Sequence, residues 1–434
     1  MKLKLLALPC AAALMTACGP AGIDRINHVV VIYLENRSFD NIYGSFNGAE
    51  GLSAAATAPL QVDANGTAYA TLPPTGDARF PTDLPNAPFD IGLYIPPDQP
   101  TADLVHRWYQ EQQQIDGGKM DKFAAVSNAK ALSMGYYQTS GLPLADLAKK
   151  YTLCDRFFHG AFGGSFLNHI YLISTAAPTF PGAPSAMKST EDAYGNMVTD
   201  GAVTPAGYVV NTSFTVNTPH PSTTPVNQLI PNQTFDTIGD RLTAAKLDWA
   251  WYSGGWNDAL AGAPDSRFQF HHQPFAYFAN YADGTAAKAE HLKDEADFIS
   301  AAKAGALPAV SFVKPIGANN EHPGYTDLIT GENYTMGLID DVRNGPNWKD
   351  TAIIVTYDEN GGFWDHVGPP ATDSWGPGTR VPALVIAPFA KQGFVDHTSY
   401  DTSAILALIE HRWGLDPLGT RDAAAADLSA AFQP

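Results

Sequence analysis

Two apolar runs in this chain stop abruptly at acids. Val29-Val30-Val31-Ile32-Tyr33-Leu34 runs into Glu35-Asn36-Arg37-Ser38-Phe39-Asp40, and Ala352-Ile353-Ile354-Val355-Thr356-Tyr357 runs into Asp358-Glu359-Asn360-Gly361-Gly362. Short unbroken apolar runs bounded by polar residues predict strands buried on both faces. The same reading predicts strands at 26–34, 151–155, 247–252, 309–313, 352–357 and 383–386. Helices are predicted over 38–46, 104–114, 119–127, 142–150, from Ser165 onward, and over 237–245, 290–304, 327–343 and 401–413. From Thr237 on, strand and helix alternate, which argues for a mostly parallel sheet covered on both faces. In an open sheet of that kind chemistry gathers at the carboxyl ends of the strands. Glu35, Asn36, Asp358 and Glu359 would then bring oxygen donors to one point.

Between these elements the pattern breaks twice. Residues 48–103 and 177–232 are rich in Pro, Thr, Asn and Gly and have few periodic apolar positions. They read as loop-rich insertions, with a small hairpin expected at 207–216. No internal repeat is present, so 26–434 is expected to form a single domain with these two insertions.

Composition narrows the function classes. The chain has 434 residues, 45% hydrophobic and 16% charged, with a net charge of −18. That supports a sizeable core and argues against nucleic acid as a partner. An anionic substrate needs a local positive centre, such as a metal ion or a protonated histidine. At the N-terminus, Lys2 and Lys4 precede an apolar run from Leu5 to Leu14, the pattern of a secretory leader over 1–17. Leu14-Met15-Thr16-Ala17-Cys18 resembles a bacterial lipobox. It implies cleavage before Cys18, acylation there, a tether over 18–25, and membrane contact through the lipid in the periplasm or at the outer membrane. Cys10 leaves with the leader, and with Cys18 acylated Cys154 stands alone, so no disulfide framework is expected.

Several side chains could carry chemistry. The carboxylate and amide oxygens of Glu35, Asn36, Asp358 and Glu359 suit one hard divalent ion of the Ca, Mg or Mn type. A single strand-end acid is more often a cap or a solvated loop residue. Two polar pairs, each ending a buried strand, shift the balance towards a site. Ser165 follows Gly163-Gly164 at a predicted helix start, where free N–H groups favour an anion. A cation beside it would stabilise its alkoxide. Taken alone it also reads as an N-cap. Asn168, one turn on, could aim an amide at an oxyanion. His106, His271, His272 and His322 lie in polar loops or at a helix start and suit an anionic substrate when protonated. His366 and His169 are further candidates, with His169 expected to face away if Asn168 faces in. No Gly-x-Ser-x-Gly elbow, His-Glu-x-x-His pair or Gly-x-x-x-x-Gly-Lys loop occurs, nor does Gly-x-Gly-x-x-Gly follow the first strand. Ordinary esterases, zincins, P-loop proteins and dinucleotide folds therefore lose support.

Five segments taken together carry a resemblance. Glu35 to Asp40, Gly163-Gly164-Ser165 to Asn168, His271-His272-Gln273-Pro274-Phe275, Asn320-Glu321-His322-Pro323 and Asp358 to Gly362 resemble, in order, the bacterial phosphoesterase family of acid phosphatases and non-haemolytic-type phospholipases C. The resemblance runs from 26 to about 413. It implies an alkaline-phosphatase-like α/β/α sandwich. It also implies a metal held by Glu35, Asn36, Ser165, Asp358 and Glu359, with Ser165 as nucleophile. His106, Asn168, His271, His272 and His322 would surround the phosphoryl group, with His322 assisting the leaving oxygen. The Gly-Gly-Ser spacing is closer to the acid-phosphatase branch. Ser165-Phe166-Leu167-Asn168-His169 lacks the Pro and Arg of a sulfatase.

The expectation is an exported, metal-dependent acid phosphatase that forms a phosphoserine on monoesters, with an acidic optimum if its histidines titrate near their reference values. The alternative is a phospholipase C cleaving phosphodiesters at the same site. A non-catalytic lipoprotein that binds a cation or phosphate is a third reading.

Overall fold

The computed structural model describes residues 22–434; the expected leader, lipobox and Cys18 lie outside the described residues. An eight-stranded sheet forms the centre. In chain order its strands are β1 (His28–Leu34), β2 (Thr152–Cys154), β3 (Trp249–Ser253), β4 (Leu292–Asp294), β5 (Val310–Lys314), β6 (Thr351–Tyr357), β7 (Ala383–Ile386) and β8 (Phe394–Asp396). Their spatial order is β8-β2-β7-β6-β1-β5-β3-β4. Only β7 runs against its neighbours; the other pairs are parallel.

The two apolar runs are the middle of this sheet. In β1 every residue from Val29 to Leu34 is buried, as is all of β6. Each such Val, Ile or Leu contributes roughly 1.5–3 kcal/mol through burial. Their parallel pairing sets Leu34 opposite Tyr357. Glu35 and Asp358 therefore leave the sheet side by side at its carboxyl edge, as expected for a parallel arrangement. Pairing of β1 with β5 places Lys314 at the same edge, one step beyond the Ile32–Val313 partners.

Helices flank the sheet. The principal ones are α1 (Phe39–Tyr43), α2 (Trp108–Ile115), α3 (Ser165–Ser174), α4 (Ile238–Ala244), α5 (Glu295–Ala304), α6 (Leu328–Arg343) and α7 (Ser403–Trp413). Helix α3 packs on α4 and α7, while α5 packs on α6. The fold is thus an α/β sandwich with a large mixed, mostly parallel sheet. Cys154 is buried in β2 as a free thiol. Among the described residues no helix is long and apolar enough to cross a membrane.

Three local expectations are corrected. The helix predicted over 104–114 begins only at Trp108, because the Val105 N–H is drawn to Asn128 Oδ1 (2.7 Å) and Arg107 stays extended. The helix predicted over 290–304 is split. Leu292–Asp294 forms an edge strand on β3, and an Asp294/Asp297 capping box starts α5 after it. The hairpin predicted at 207–216 forms instead between Thr190–Glu191 and Met197–Thr199, around an Asp192 turn.

Candidate active site

The site is built from three strand ends and one helix start. Glu35 follows β1, Asp358 and Glu359 follow β6, Lys314 ends β5, and Ser165 opens α3. All are buried; Ser165 is 6% exposed and Glu35 fully enclosed. Ser165 Oγ donates to Glu35 Oε2 at 3.1 Å. The other oxygen of Glu35 meets Lys314 Nζ and, at 2.8 Å, His272 Nε2. Burial opposes ionisation of Glu35, but His272 and Lys314 overcome it and hold the carboxyl well below its usual range. Asp358 and Glu359 are less closely paired, with His169 Nδ1 3.9 Å from Asp358 and His106 Nε2 4.0 Å from Glu359. Burial, with Glu35 adding repulsion, pushes Asp358 up to about 7. Burial and the neighbouring Asp358 push Glu359 well above its ordinary value. Like charges crowded in a dry site behave this way unless a cation joins them.

Asn36 has φ 64°, a left-handed conformation that Asn tolerates better than most residues. That turn points its N–H at Asp358 Oδ1 (3.1 Å), tying the two strand ends together. Its amide nitrogen faces His322 Nε2 at 3.2 Å. Its amide oxygen lies 2.7 Å from Glu359 Oε1 and 3.1 Å from Glu35 Oε2, acceptor against acceptor. Turning the amide over relieves this, and so does a cation between the oxygens. Asp358 Oδ2 is buried without a hydrogen-bond partner. An orphaned carboxylate oxygen, an amide oxygen and two further carboxylates around Ser165 Oγ form a donor set that fits a hard divalent ion. Imidazole nitrogen is also at hand. Glu35, His169 and His272 form one cluster of metal-capable atoms, and Asp103, His106 and His322 another, each within 4.8 Å.

A cavity of about 480 Å³ opens onto Ser165 and Glu35. His106, His271, His272 and His322 line it, with Arg107 and Tyr325. Tyr325 stacks on His322 with ring centroids 4.0 Å apart. His322 Nδ1 faces Pro323 O at 2.6 Å. Burial depresses His322 to about 3 despite Glu35, lowers His272, and lowers His271 well below its usual range. The premise that these imidazoles titrate near their reference values is therefore corrected: desolvation disfavours the protonated form of all three.

Asn168 and His169 exchange their expected orientations. The Asn168 amide is committed to the turn before Ser165, accepting from Ala161 N (2.9 Å) and donating to Ala161 O (3.0 Å) and Gly163 O (3.1 Å). His169 faces the acids instead. It stacks on His272 at 4.9 Å, and its Nδ1 lies 3.9 Å from Asp358 Oδ2. Two adjacent helix residues cannot share a face, and the turn's free carbonyls and N–H capture the amide. His366 lies apart, bonded to Asp40 within a buried network that includes Asp365 and Arg380. Sequence reasoning missed Lys314, Asp103 and Arg107. The available signal for Lys314 was a single lysine ending the apolar run Val310–Val313.

The fold and this cluster are compatible with a phosphoric-ester-hydrolase type of site. The phosphoesterase family model matches residues 26–416, and the chain belongs to that family. Curated relatives include a non-hemolytic phospholipase C of Pseudomonas aeruginosa, 27% identical over 94% of this chain and 57% of that protein. Phospholipase C A of Mycobacterium tuberculosis is 25% identical over 95% of this chain and 78% of that protein. The chain thus spans little more than half of the first relative. Among solved structures, a protein in the alkaline phosphatase superfamily from Vibrio parahaemolyticus is similar over 77% of this chain and 74% of that one, at 11% identity and a TM-score of 0.34.

Proposed function

We propose that the protein hydrolyses phosphate esters through Ser165, with phospholipid phosphodiesters as the preferred class in the manner of a phospholipase C. The observation that carries the reading is Ser165 Oγ, at a helix start and 3.1 Å from a Glu35 held ionised by Lys314 and His272. Glu35 accepts the serine proton as the Ser165 oxygen attacks phosphorus in line; the bond from phosphorus to the alcohol oxygen breaks on the opposite side, and the alkoxide leaves as the alcohol with a proton taken from water in the cavity. The free N–H groups of α3 and the pocket face of Arg107 favour the anionic phosphoryl group. A phosphorylated Ser165 results, and water entering from the cavity releases it. A divalent ion held by Glu35, Asn36, Ser165, Asp358 and Glu359 would neutralise phosphoryl charge and lower the serine pKa.

Two observations favour the diester over the monoester. The relatives just named are phospholipases C. In addition, burial disfavours protonation of three of the pocket's imidazoles, which suits a singly charged diester better than a dianion. The acid-phosphatase reading keeps one point in its favour, the Gly163-Gly164-Ser165 spacing. Export and acylation of Cys18 belong to the same proposal, since a lipid anchor would hold the enzyme at its substrate; palmitate labelling that survives Cys18→Ser would refute acylation there. Purified protein on phosphatidylcholine and on p-nitrophenyl phosphate separates the two substrate classes. Turnover of the lipid alone, lost in Ser165→Ala, is the expected outcome. Turnover of the monoester alone would reverse the preference.

A further inference from the structure

The turn that presents Ser165 is gripped from behind by a buried carboxylate outside the cavity. Glu111 sits on α2, the helix that begins immediately after His106 and Arg107, and is 1% exposed. Its Oε2 accepts the Gly163 N–H at 2.5 Å. Its Oε1 faces His159 Nε2 (2.7 Å) and accepts the Thr379 N–H (2.9 Å) and the Thr379 hydroxyl (2.8 Å). His159 turns its other ring nitrogen to Asn168 Oδ1 at 3.3 Å. Asn168 in turn bonds the backbone of Ala161 and Gly163. The segment from His159 to Gly164 is thereby held by Glu111 on one side and by a residue of α3 itself on the other.

This segment has little rigidity of its own. Gly163 has φ +91°, and a Cβ there would meet the backbone of Trp108 at 2.7 Å. A Cβ on Gly164 would meet the carbonyl oxygen of His106 at 2.5 Å. The nucleophile turn and the mouth segment 104–107 therefore lie backbone against backbone, without side chains between them. Glycine-rich backbone resists displacement weakly; charge-assisted hydrogen bonds to an enclosed carboxylate supply the missing rigidity.

We propose that Glu111 is a positioning residue. Through the Gly163 N–H and the His159–Asn168 pair it sets the Ser165 hydroxyl against Glu35 and ties that position to the His106–Arg107 wall of the cavity. The proposal rests on the reading of Ser165 as nucleophile. Glu111 touches neither cavity nor substrate, so its effect belongs to the reacting geometry rather than to affinity.

The test is a split between kcat and KM. Glu111→Gln keeps the size of the side chain but replaces an acceptor oxygen with a donor that faces other donors. On p-nitrophenylphosphorylcholine, or p-nitrophenyl phosphate if only the monoester is turned over, kcat should fall about 100-fold with KM changed less than about threefold, as expected for slight misplacement of a nucleophile. Asp294→Ala, which removes the α5 cap far from the turn, should lower Tm and leave kcat unchanged. If Glu111→Gln fails to fold, His159→Gln severs the link to Asn168, and kcat should fall about tenfold at unchanged KM. A folded Glu111→Gln or His159→Gln with wild-type kcat overturns the proposal, whatever happens to Tm. Residual activity of Ser165→Ala separates the two failures: an active Ser165→Ala sinks the nucleophile reading, whereas an inactive one beside a fully active Glu111→Gln sinks only the positioning role.

Discussion

Leu34 and Tyr357 are register partners in adjacent parallel strands, so the residues that follow them, Glu35 and Asp358, leave the sheet together. Lys314 reaches the same edge from the other side of β1 and closes on Glu35. Both groups of this pair are fully enclosed. Removing one partner of a buried pair leaves an uncompensated charge. Lys314→Met should destabilise the protein by about 3 kcal/mol at neutral pH. Glu35 has a depressed folded-state pKa, so its stabilising contribution is present above pH 4.5 and fades as the pH falls below that value. The deficit of Lys314→Met should therefore shrink on acidification, measured by urea denaturation at several pH values. A deficit independent of pH would contradict the pairing.

Glu295 behaves in the opposite sense. Burial raises it to about 7, and the Tyr334 hydroxyl donates to it at 2.7 Å. Between pH 4.5 and 7 the folded protein keeps this proton and the unfolded chain has lost it. Stability contributed below pH 4.5 is thus lost as the pH rises through about 7. Glu295→Gln removes that loss and should gain about 3 kcal/mol over wild type above pH 7, with little difference at pH 4. Denaturation curves of the two proteins at pH 4 and 8 check both the size and the sign.

Gly163 is a position where backbone geometry admits little change. Its positive φ and the approach of Trp108 leave no room for a Cβ. Gly163→Ala should cost about 1–3 kcal/mol through strain and lower kcat by at least about tenfold through displacement of Ser165. The same substitution at Gly337, on α6 with open space around a Cβ, should gain up to about 1 kcal/mol. Thermal unfolding of both variants gives the comparison.

Much of this was legible in the sequence. Runs of Val and Ile ending in Glu35 and Asp358 announced buried strands, and the strand–helix alternation after Thr237 announced a parallel sheet. Periodicity could not show that Leu292–Asp294 adds an edge strand, because three residues beside a helix carry no alternation to read. Nor could it show which of Asn168 and His169 faces the acids. That choice is made by the unpaired backbone of the turn at 159–164, which exists only once the chain is folded. Histidine ionisation was equally out of reach, since burial and not residue type decides it. Glu111 lay unnoticed in a polar helix, and its partners Gly163 and Thr379 are 52 and 268 residues away.

A cation at the cluster should announce itself without any assay of activity. Binding to the folded state alone stabilises by mass action, about 2.7 kcal/mol at 100 times Kd. After dialysis against chelator, Ca²⁺, Mg²⁺ or Mn²⁺ should raise Tm in wild type and not in a Glu35→Gln/Asp358→Asn double variant. An equal rise in both proteins would place the ion elsewhere.

The central claim is that Ser165 carries the phosphoryl group. Acid quenching during turnover of p-nitrophenyl phosphate or p-nitrophenylphosphorylcholine, followed by peptide mass spectrometry, tests it directly. A phosphoryl adduct on Ser165, absent from Ser165→Ala together with all turnover, is the result predicted here. An adduct on another side chain, or turnover by Ser165→Ala above a few per cent of wild type, would contradict it.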